Sequence, residues 1–354
     1  MITFYPGPSK VYPQVPQYVQ EAYHQGILSI NHRSPEFVAL SAQTIRLVKE
    51  KLRVPDDYTV FYTSSATECW EIISQSLVTH TSYHVYNGAF GAKWFRYAQQ
   101  LQPQAEGLPF DPQQPLPIDR LRPPEKSDVI CLTHNETSNG TALSADTLAA
   151  MRARYADTLI AVDATSSLAG VHLPIAQADL WYASVQKCFG LPAGLALLIC
   201  SPKALALAHT RGEHSHYNSL LYLQEQMENW QTTYTPNVLA IYLLMRTLEA
   251  RADIDAIERQ THERYTQWIN FLSTLDILHL LIEDPAVRSR TVIPVTSEPD
   301  TIRRLRDQAK AAGIILGNGY GDLKPTTLRI ANFPAIEAHE IAQIQHFIQE
   351  FDKR

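Results

Sequence analysis

Three short hydrophobic runs in the middle of the chain predict the strands around which the rest of the fold is arranged. They cover residues 159–162, 180–184 and 195–200, and Gly, Pro or Ser residues bound each run. Runs that are hydrophobic at every position are typical of strands buried on both faces inside a parallel sheet. Polar residues follow the first two runs. We therefore expect chemistry at the ends of these strands, where open α/β sheets place their ligands.

The flanking sequence alternates between strand-like runs and segments with the hydrophobic spacing of a helix. This alternation predicts an α/β fold, with a large domain built on a mainly parallel central sheet flanked by helices. Beyond residue 253 the mixture of helices and strands predicts a smaller α+β domain. We place an N-terminal arm, associated with the small domain, over residues 1–16, which contain four prolines. The large domain then covers residues 17–240 and the small domain covers 241–354.

Composition and charge exclude several classes of function. The chain has 354 residues, 45% of them hydrophobic, which is enough for two full cores. The net charge of −6 argues against general binding of nucleic acid or anionic membranes. No hydrophobic run approaches the roughly 20 residues that a membrane helix needs, and the N-terminus lacks a signal-peptide pattern. The four cysteines are widely spaced, and His214 with His216 is the only close histidine pair, so we expect reduced thiols, a cytoplasmic protein and no metal site.

Lys187 is the strongest candidate for covalent chemistry. It follows the second hydrophobic run and precedes Cys188 and Phe189, so burial of its side chain is expected. A desolvated lysine has a lowered pKa, and its neutral amine forms Schiff bases with carbonyl compounds, including the aldehyde of pyridoxal phosphate. Asp163, after the first run, would keep the pyridine nitrogen of that cofactor protonated. The alternatives are a solvated lysine and, for Asp163, the N-cap of a following helix.

Two further segments have residues suited to binding anions. The turn with Ser65, Ala66 and Thr67 opens a predicted helix, whose N-terminal N–H groups and dipole suit a phosphate; simple capping is the alternative. Arg33 and Arg329 can each hold a carboxylate or a phosphate with two hydrogen bonds. The alternatives are a surface arginine before a helix for Arg33 and a paired structural arginine for Arg329, which lies within a hydrophobic run.

Three segments together resemble the class V aminotransferases, which are fold-type I pyridoxal-phosphate enzymes. They are VDATSSLAG at residues 162–170, SVQKCFG at 184–190 and LPAGLALL at 191–198. The resemblance extends over nearly the whole chain, from PGPSKVYP near the start to LRIANFPA near the end. Within the class, the chain is most similar to the phosphoserine aminotransferases, and it is also similar to the serine–pyruvate and alanine–glyoxylate branch.

The resemblance implies that pyridoxal 5'-phosphate is the cofactor and assigns it several contacts. Lys187 would bind its aldehyde and Asp163 its ring nitrogen, with Gln186 beside them. Phe90 would stack on the ring, although packing in the core is the alternative for this side chain. Thr137 would contact the ring oxygen with its hydroxyl.

The resemblance also implies substrate contacts and a homodimer. Arg329 would bind the α-carboxylate of the amino-acid and 2-oxo-acid substrates. His32 and Arg33 would lie near the phosphate-bearing end of the substrate. Thr235 would reach the cofactor phosphate of the opposite subunit.

The chain departs from the phosphoserine aminotransferase pattern near the expected phosphate sites. Serines replace the usual glycines in the phosphate-binding turn, Phe90 stands where tryptophan is usual, and Tyr234 stands where asparagine is usual. The segment 317–324 lacks the His-Arg or His-Lys pair expected to face the substrate phosphate, and Lys324 is its only cation. Either Lys324 and Arg33 suffice for the phosphate, or the substrate is not phosphorylated.

The sequence therefore predicts a pyridoxal-phosphate aminotransferase. The favoured reaction converts 3-phosphoserine and 2-oxoglutarate to phosphohydroxypyruvate and glutamate, or runs in reverse in serine biosynthesis. The alternative within the class is a serine or alanine aminotransferase that uses pyruvate or glyoxylate. The alternative from another class is a non-enzymatic α/β binding protein. A nucleotide-binding protein is disfavoured because the chain has no GxGxxG, GxxxxGKS or GxxxxGKT loop.

Overall fold

Fourteen strands and eleven α-helices make up the computed structural model, which describes residues 1–353. The strands are β1 (Ile2–Phe4), β2 (Thr59–Thr63), β3 (Thr81–Tyr86), β4 (Glu106–Pro109), β5 (Ser127–Thr133), β6 (Asn135–Glu136), β7 (Thr141–Ala142), β8 (Leu159–Asp163), β9 (Leu180–Ser184), β10 (Ala196–Cys200), β11 (His279–Leu280), β12 (Val292–Thr296), β13 (Ile314–Asn318) and β14 (Thr327–Ala331). The helices are α1 (Val15–His24), α2 (Pro35–Leu52), α3 (Ala66–Leu77), α4 (Ala89–Leu101), α5 (Ala145–Arg154), α6 (Pro202–Arg211), α7 (Leu220–Met227), α8 (Val238–Ala250), α9 (Ile254–Leu272), α10 (Pro299–Ala311) and α11 (Ala338–Asp352). Among the described residues, no helix combines the length and the hydrophobicity that a membrane crossing requires.

The central sheet contains seven strands in the order β2-β10-β9-β8-β5-β3-β4. The pairs β4–β3, β3–β5, β5–β8 and β8–β9 are parallel, so the predicted mainly parallel sheet is confirmed. β10 is antiparallel to both β9 and β2, and a parallel direction for the third hydrophobic run is therefore wrong. The cause is the connection between β9 and β10, residues 185–195, which contains no helix. A parallel return needs a crossover of about a dozen residues or more, usually helical.

One buried carboxylate, that of Asp179, ties the start of β9 to its surroundings. Its Oδ2 atom accepts hydrogen bonds from Ile160 N at 2.8 Å and from the guanidinium of Arg152, and its Oδ1 atom accepts one from Ser201 Oγ at 3.1 Å. These partners lie in β8, in α5 and directly before α6. All residues of β8, β9 and β10 are buried, so a carboxylate at this place needs such a set of donors.

The smaller sheet contains five strands in the order β1-β13-β14-β12-β11. β1 is parallel to β13, and the other pairs are antiparallel. The start of the chain therefore lies at one edge of this sheet, and Arg329 lies on its middle strand, β14. The predicted domain boundaries at residues 16 and 240 stay a prediction. Residue 240 falls within α8, which packs against α1 and α2.

We expect Asp179→Ala to lower the free energy of unfolding by about 3 kcal/mol, because it leaves the buried Ile160 N–H and the Arg152 guanidinium without their acceptor. Urea unfolding followed by tryptophan fluorescence, at a fixed protein concentration, measures this change. The matched control is Asp119→Ala, which removes a fully exposed partner of Arg154 and should change the unfolding free energy very little. Equal effects of the two substitutions would contradict the anchoring role of Asp179.

Candidate active site

A cavity of about 470 Å³ lies where three parallel strands of the central sheet end. Thr133, Asp163 and Ser184 are the last residues of β5, β8 and β9, and all three line it. The N-terminal arm and the loop before β14 form the other walls. Eight of the residues predicted from the sequence line this cavity: Ala66, Thr67, Phe90, Thr137, Asp163, Gln186, Lys187 and Arg329. The cavity lies at the edge where open α/β sheets bind their ligands.

The amine of Lys187 is buried in this cavity. Its Nζ atom donates hydrogen bonds to Thr137 Oγ1 at 2.8 Å and to Ser166 Oγ at 2.9 Å. Burial lowers the pKa of Lys187 to about 8, although the negative charge of Asp163 acts in the opposite direction. The N-terminal arm lies against the stem of the lysine: a Cβ atom on Gly7, whose φ is +147°, would come within 2.8 Å of Lys187 Cε. The lysine is therefore not the solvated side chain that was the alternative.

Asp163 ends β8 and is also buried. Its Oδ1 atom accepts a hydrogen bond from Thr165 N at 2.9 Å, but residues 164–170 form turns, so Asp163 does not cap a helix. Burial raises the pKa of Asp163, while the hydrogen bonds from Thr165 and the charge of Lys187 act against that rise. Asn135 also lines the cavity, and its Nδ2 atom is buried without a hydrogen-bond partner among the described residues. The cavity thus has a carboxyl group and an amide donor available to a ligand.

The position of Phe90 in the first turn of α4 is set by Glu136, a residue that the sequence reasoning missed. Glu136 Oε2 accepts hydrogen bonds from Phe90 N and Gly91 N, both at 3.1 Å, and the carboxylate is buried. A Cβ atom on Gly88 would lie 2.2 Å from Glu136 Cγ, so only glycine fits there. The Phe90 ring centroid is then 5.3 Å from Lys187 Nζ. The signal in the sequence was a carboxylate directly after a hydrophobic strand.

The N-terminus of α3 forms the wall predicted to bind a phosphate. Ser65 is the N-cap, and its Oγ atom accepts a hydrogen bond from Glu68 N at 3.1 Å, so the capping alternative describes this serine. Ala66 N donates to Ser184 Oγ at 2.9 Å. Ala66 and Thr67 line the cavity, whereas Ser65 is absent from its lining. The helix end still faces the cavity with its positive dipole end.

Arg329 is buried on β14 without a carboxylate partner among the described residues. Its Nε atom donates to the carbonyl oxygen of Asn318 at 2.6 Å, and its Nη1 atom donates to that of Thr137 at 2.9 Å. Its guanidinium carbon lies 5.7 Å from the centre of the Tyr320 ring. Two carbonyls and an aromatic ring hold the guanidinium in place but leave its positive charge uncompensated.

Two lysines that line the cavity also lack an acidic partner among residues 1–353. Lys93 lies on α4 three residues after Phe90, with its Nζ atom 5.6 Å from the ring centre of Tyr97. Lys324 lies in the loop before β14 and is exposed. The sequence reasoning singled out Lys324 but missed Lys93, although its spacing from Phe90 places both on the same side of α4.

Besides Ser65, three predicted site residues lie outside the cavity of a single chain. Arg33 is at the surface, where its Nη1 atom donates to Gln226 Oε1 at 2.7 Å and to Gln231 Oε1 at 2.5 Å. Its neighbour His32 and the distant Thr235 do not line the cavity either, and Thr235 is exposed. Their predicted roles involve a substrate phosphate and a second subunit, so they stay predictions.

The lining fits pyridoxal 5'-phosphate, the cofactor that the sequence predicts. A buried amine with a lowered pKa and a buried carboxyl share the cavity with the Phe90 ring. The N-terminus of α3 suits the phosphate group. Asn135 Nδ2 is a buried donor without a partner among the described residues, as expected where a polar ligand supplies the missing hydrogen bond.

Comparison with known proteins gives concordant matches over nearly the whole chain. The family model described as Aminotransferase class-V matches residues 3–325. A phosphoserine aminotransferase of Rhodococcus opacus (strain B4) is 27% identical over 352 residues, which cover 96% of this chain and 91% of that protein. The crystal structure of a phosphoserine aminotransferase from Cytophaga hutchinsonii ATCC 33406 has a TM-score of 0.93 and 31% identity, and covers 99% of this chain and 98% of that chain. An alanine–glyoxylate aminotransferase from Nostoc sp. has a TM-score of 0.83 at 19% identity, covering 99% of this chain and 94% of that chain, which shows likeness of fold alone.

These matches confirm the fold-type I architecture and the prediction of a transaminase that depends on pyridoxal 5'-phosphate. They do not identify the amino-acid substrate. The chain belongs to the class-V aminotransferase family.

Proposed function

We propose that this enzyme transfers an amino group between 3-phosphoserine and 2-oxoglutarate, forming phosphohydroxypyruvate and glutamate, and that it works in serine biosynthesis in the cytoplasm. The observation that carries the substrate assignment is the charge of the cavity. Besides Lys187, which the cofactor engages, three cations line it, Lys93, Lys324 and Arg329, against the single carboxylate of Asp163. A substrate with two anionic ends compensates this excess better than one with a single carboxylate. Similarity to phosphoserine aminotransferases supports the same assignment.

We assign the proton transfer at the substrate Cα atom to Lys187. Pyridoxal phosphate, when bound, withdraws electrons from the bonds at this carbon. A general base is most effective when its pKa is close to the working pH, and burial has brought the pKa of Lys187 to about 8. Thr137 Oγ1 and Ser166 Oγ hold the amine in place through its two hydrogen bonds. Asp163, ionised, would keep a positive charge on the ring nitrogen.

We assign the substrate α-carboxylate to Arg329. Its Nε and Nη1 atoms are held by backbone carbonyls, whereas its Nη2 atom makes no hydrogen bond within the described residues. A fixed guanidinium would orient the substrate and thereby select which bond at Cα breaks. Lys324 lies on the same side of the cavity, five residues before Arg329 in the chain. We therefore assign the substrate phosphate to the lysines rather than to the missing His-Arg pair.

We further propose a homodimer, in which the second subunit brings Thr235 to the cofactor phosphate and His32 with Arg33 to the substrate phosphate. These residues lie at the surface of a single chain. Trp230, which is 38% exposed, neighbours Gln231, a hydrogen-bond partner of Arg33. A large exposed hydrophobic residue beside polar groups is typical of a protein interface.

One feature favours the second candidate, a serine or alanine aminotransferase that uses pyruvate or glyoxylate. The loop 317–324 has no arginine or histidine, so the phosphate would meet lysine instead of a bidentate donor. Half-reactions with single amino acids separate the two candidates. We expect phosphoserine and glutamate to convert the bound cofactor to pyridoxamine phosphate, with a kcat/KM at least about 100-fold above that for serine or alanine. Faster conversion by alanine or serine would show that the second candidate is correct.

The lowered pKa of Lys187 predicts how the apoenzyme captures its cofactor. A lysine is reactive only when neutral, so the rate of capture should rise with pH and level off above about pH 8. Borohydride trapping with pyridoxal phosphate, followed by peptide mapping, measures the labelling of Lys187 at each pH. Labelling of Lys310, an exposed lysine on α10, is mapped at the same pH values as the internal control. Identical pH profiles of labelling for the two lysines would contradict the lowered pKa of Lys187.

Lys324→Met should raise the KM for phosphoserine by about 10-fold and leave kcat within about twofold, because the lysine contacts a part of the substrate that does not react. The effect on the KM for alanine should be small, since alanine has no second anionic group. Lys310→Met, which removes an exposed lysine of α10 that does not line the cavity, is the control. An unchanged KM for phosphoserine would contradict the proposed contact.

A further inference from the structure

A second, smaller cavity of about 80 Å³ lies outside the active site, between the N-terminal arm, α1 and α8. Six residues line it: Tyr12, Gln14, Tyr18, Thr247, Ala250 and Arg251. None of them lines the active-site cavity. An ordinary packing defect is lined by apolar side chains, whereas most of these side chains carry a polar group.

Arg251 is the central feature of this cavity, and it is a buried cation without a counter-ion. Its side chain is 8% exposed. Its Nη2 atom donates to the carbonyl oxygen of Ala169 at 2.5 Å, but its Nε and Nη1 atoms are buried without a hydrogen-bond partner. No carboxylate among residues 1–353 forms an ion pair with it. An arginine cannot lose its proton in a protein, so its charge needs an anion or a set of acceptors.

Two hydroxyl groups at the cavity also lack partners. Tyr12 Oη and Thr247 Oγ1 are buried without a hydrogen bond among the described residues. Together with Arg251 Nε and Nη1 they place four atoms that can donate hydrogen bonds around one small space, and no carboxylate of the described chain lines it. Arg264, a second arginine close enough to act on the Tyr12 hydroxyl, adds positive charge. Such a group of donors is the expected surrounding of a bound anion.

The carboxylates of the two adjoining helices are already paired. Glu21 on α1 and Glu249 on α8 both bind Arg246, at the outer side of the same helix pair. Neither lines the cavity. The protein therefore offers no internal anion to Arg251, and the compensating group must come from solution.

We propose that this cavity binds a small monovalent anion of the size of chloride, held by Arg251 with the hydroxyls of Thr247 and Tyr12. Among residues 1–353, Arg251 is the only cation that lines the cavity, so one negative charge compensates it. The volume of about 80 Å³ holds a chloride ion or one with a water molecule beside it, since one water takes about 30 Å³ in the liquid. A nucleotide or a sugar phosphate is too large for it.

The two principal ligands also touch the loops that form the active site. Arg251 binds the carbonyl oxygen of Ala169, in the turn after Asp163, and Tyr12 N donates to the carbonyl oxygen of Gly190 at 2.9 Å, in the connection that holds Lys187. An anion bound by both Arg251 and Tyr12 would therefore link the N-terminal arm to the C-terminal end of α8, next to both loops. We expect it to act on stability and not on the choice of substrate, so the test does not depend on the proposed reaction.

The test is the melting temperature of the holoenzyme as chloride replaces gluconate, an anion too large for the cavity, at constant ionic strength. For the wild type we expect a saturable rise of about 2 °C. Thr247→Val keeps the side-chain volume and removes one donor, and it should need about 10-fold more chloride for half of the rise. Arg251→Met should abolish the rise. Arg259→Met, which removes an exposed arginine on α9, should behave as the wild type.

Crystals of the holoenzyme soaked in bromide give the direct readout, because bromide is located by its anomalous scattering. We expect a bromide peak within hydrogen-bond distance of Arg251 and Thr247. If Arg251→Met fails to fold, the chloride dependence of the melting temperatures of Thr247→Val and Tyr12→Phe tests the proposal instead. Equal chloride curves for the wild type and these variants, or a cavity that holds only water in bromide, would overturn the proposal.

Discussion

The burial of the Lys187 amine is the interaction on which the rest of the site depends. An amine in water keeps its proton far above neutral pH, and only desolvation makes it a base that works near pH 8. The antiparallel return from β9 to β10 creates the burial, because its connection folds back over the strand ends instead of leaving the sheet through a helix. The N-terminal arm completes it, with Gly7 against the stem of the lysine and Ser9 N bonded to the carbonyl oxygen of Gln186.

The charged groups around the amine act on its pKa in both directions: Asp163 raises it and Arg329 lowers it. Thr137 and Ser166 supply hydroxyls, which accept from the amine in either protonation state. Asp163 supplies the negative charge, and it opposes the loss of the proton from Lys187. The two groups are therefore balanced: burial favours a neutral pair, and their attraction favours an ion pair. A cofactor that brings its own positive ring nitrogen to Asp163 would shift this balance.

Much of the architecture could be predicted from the sequence, because hydrophobic runs and turn residues report on local burial. The strands around Asp163 and Lys187 follow from such runs, and the helix α8 begins and ends where its hydrophobic spacing does. The direction of β10 could not be predicted in this way, since a fully buried strand has the same pattern in either direction. The cap that Glu136 forms on α4 was missed because it joins segments some 45 residues apart in the sequence. Thr235 and Arg33 lie outside the cavity of a single chain, and the roles that the resemblance implies for them stay predictions.

Three buried cations in this fold meet the same physical requirement in different ways. Lys187 can release its proton, so burial lowers its pKa and makes the amine a base. Arg329 cannot, and it is held by two backbone carbonyls while part of its guanidinium stays available to a carboxylate. Arg251 cannot release its proton either, and its hydrogen-bond acceptor is one backbone carbonyl, that of Ala169, with no carboxylate among the described residues. The substrate supplies the missing charge for Arg329, on the role that we propose. Arg251 lies where no substrate reaches, and the same reasoning therefore assigns it a permanent anion rather than a transient one.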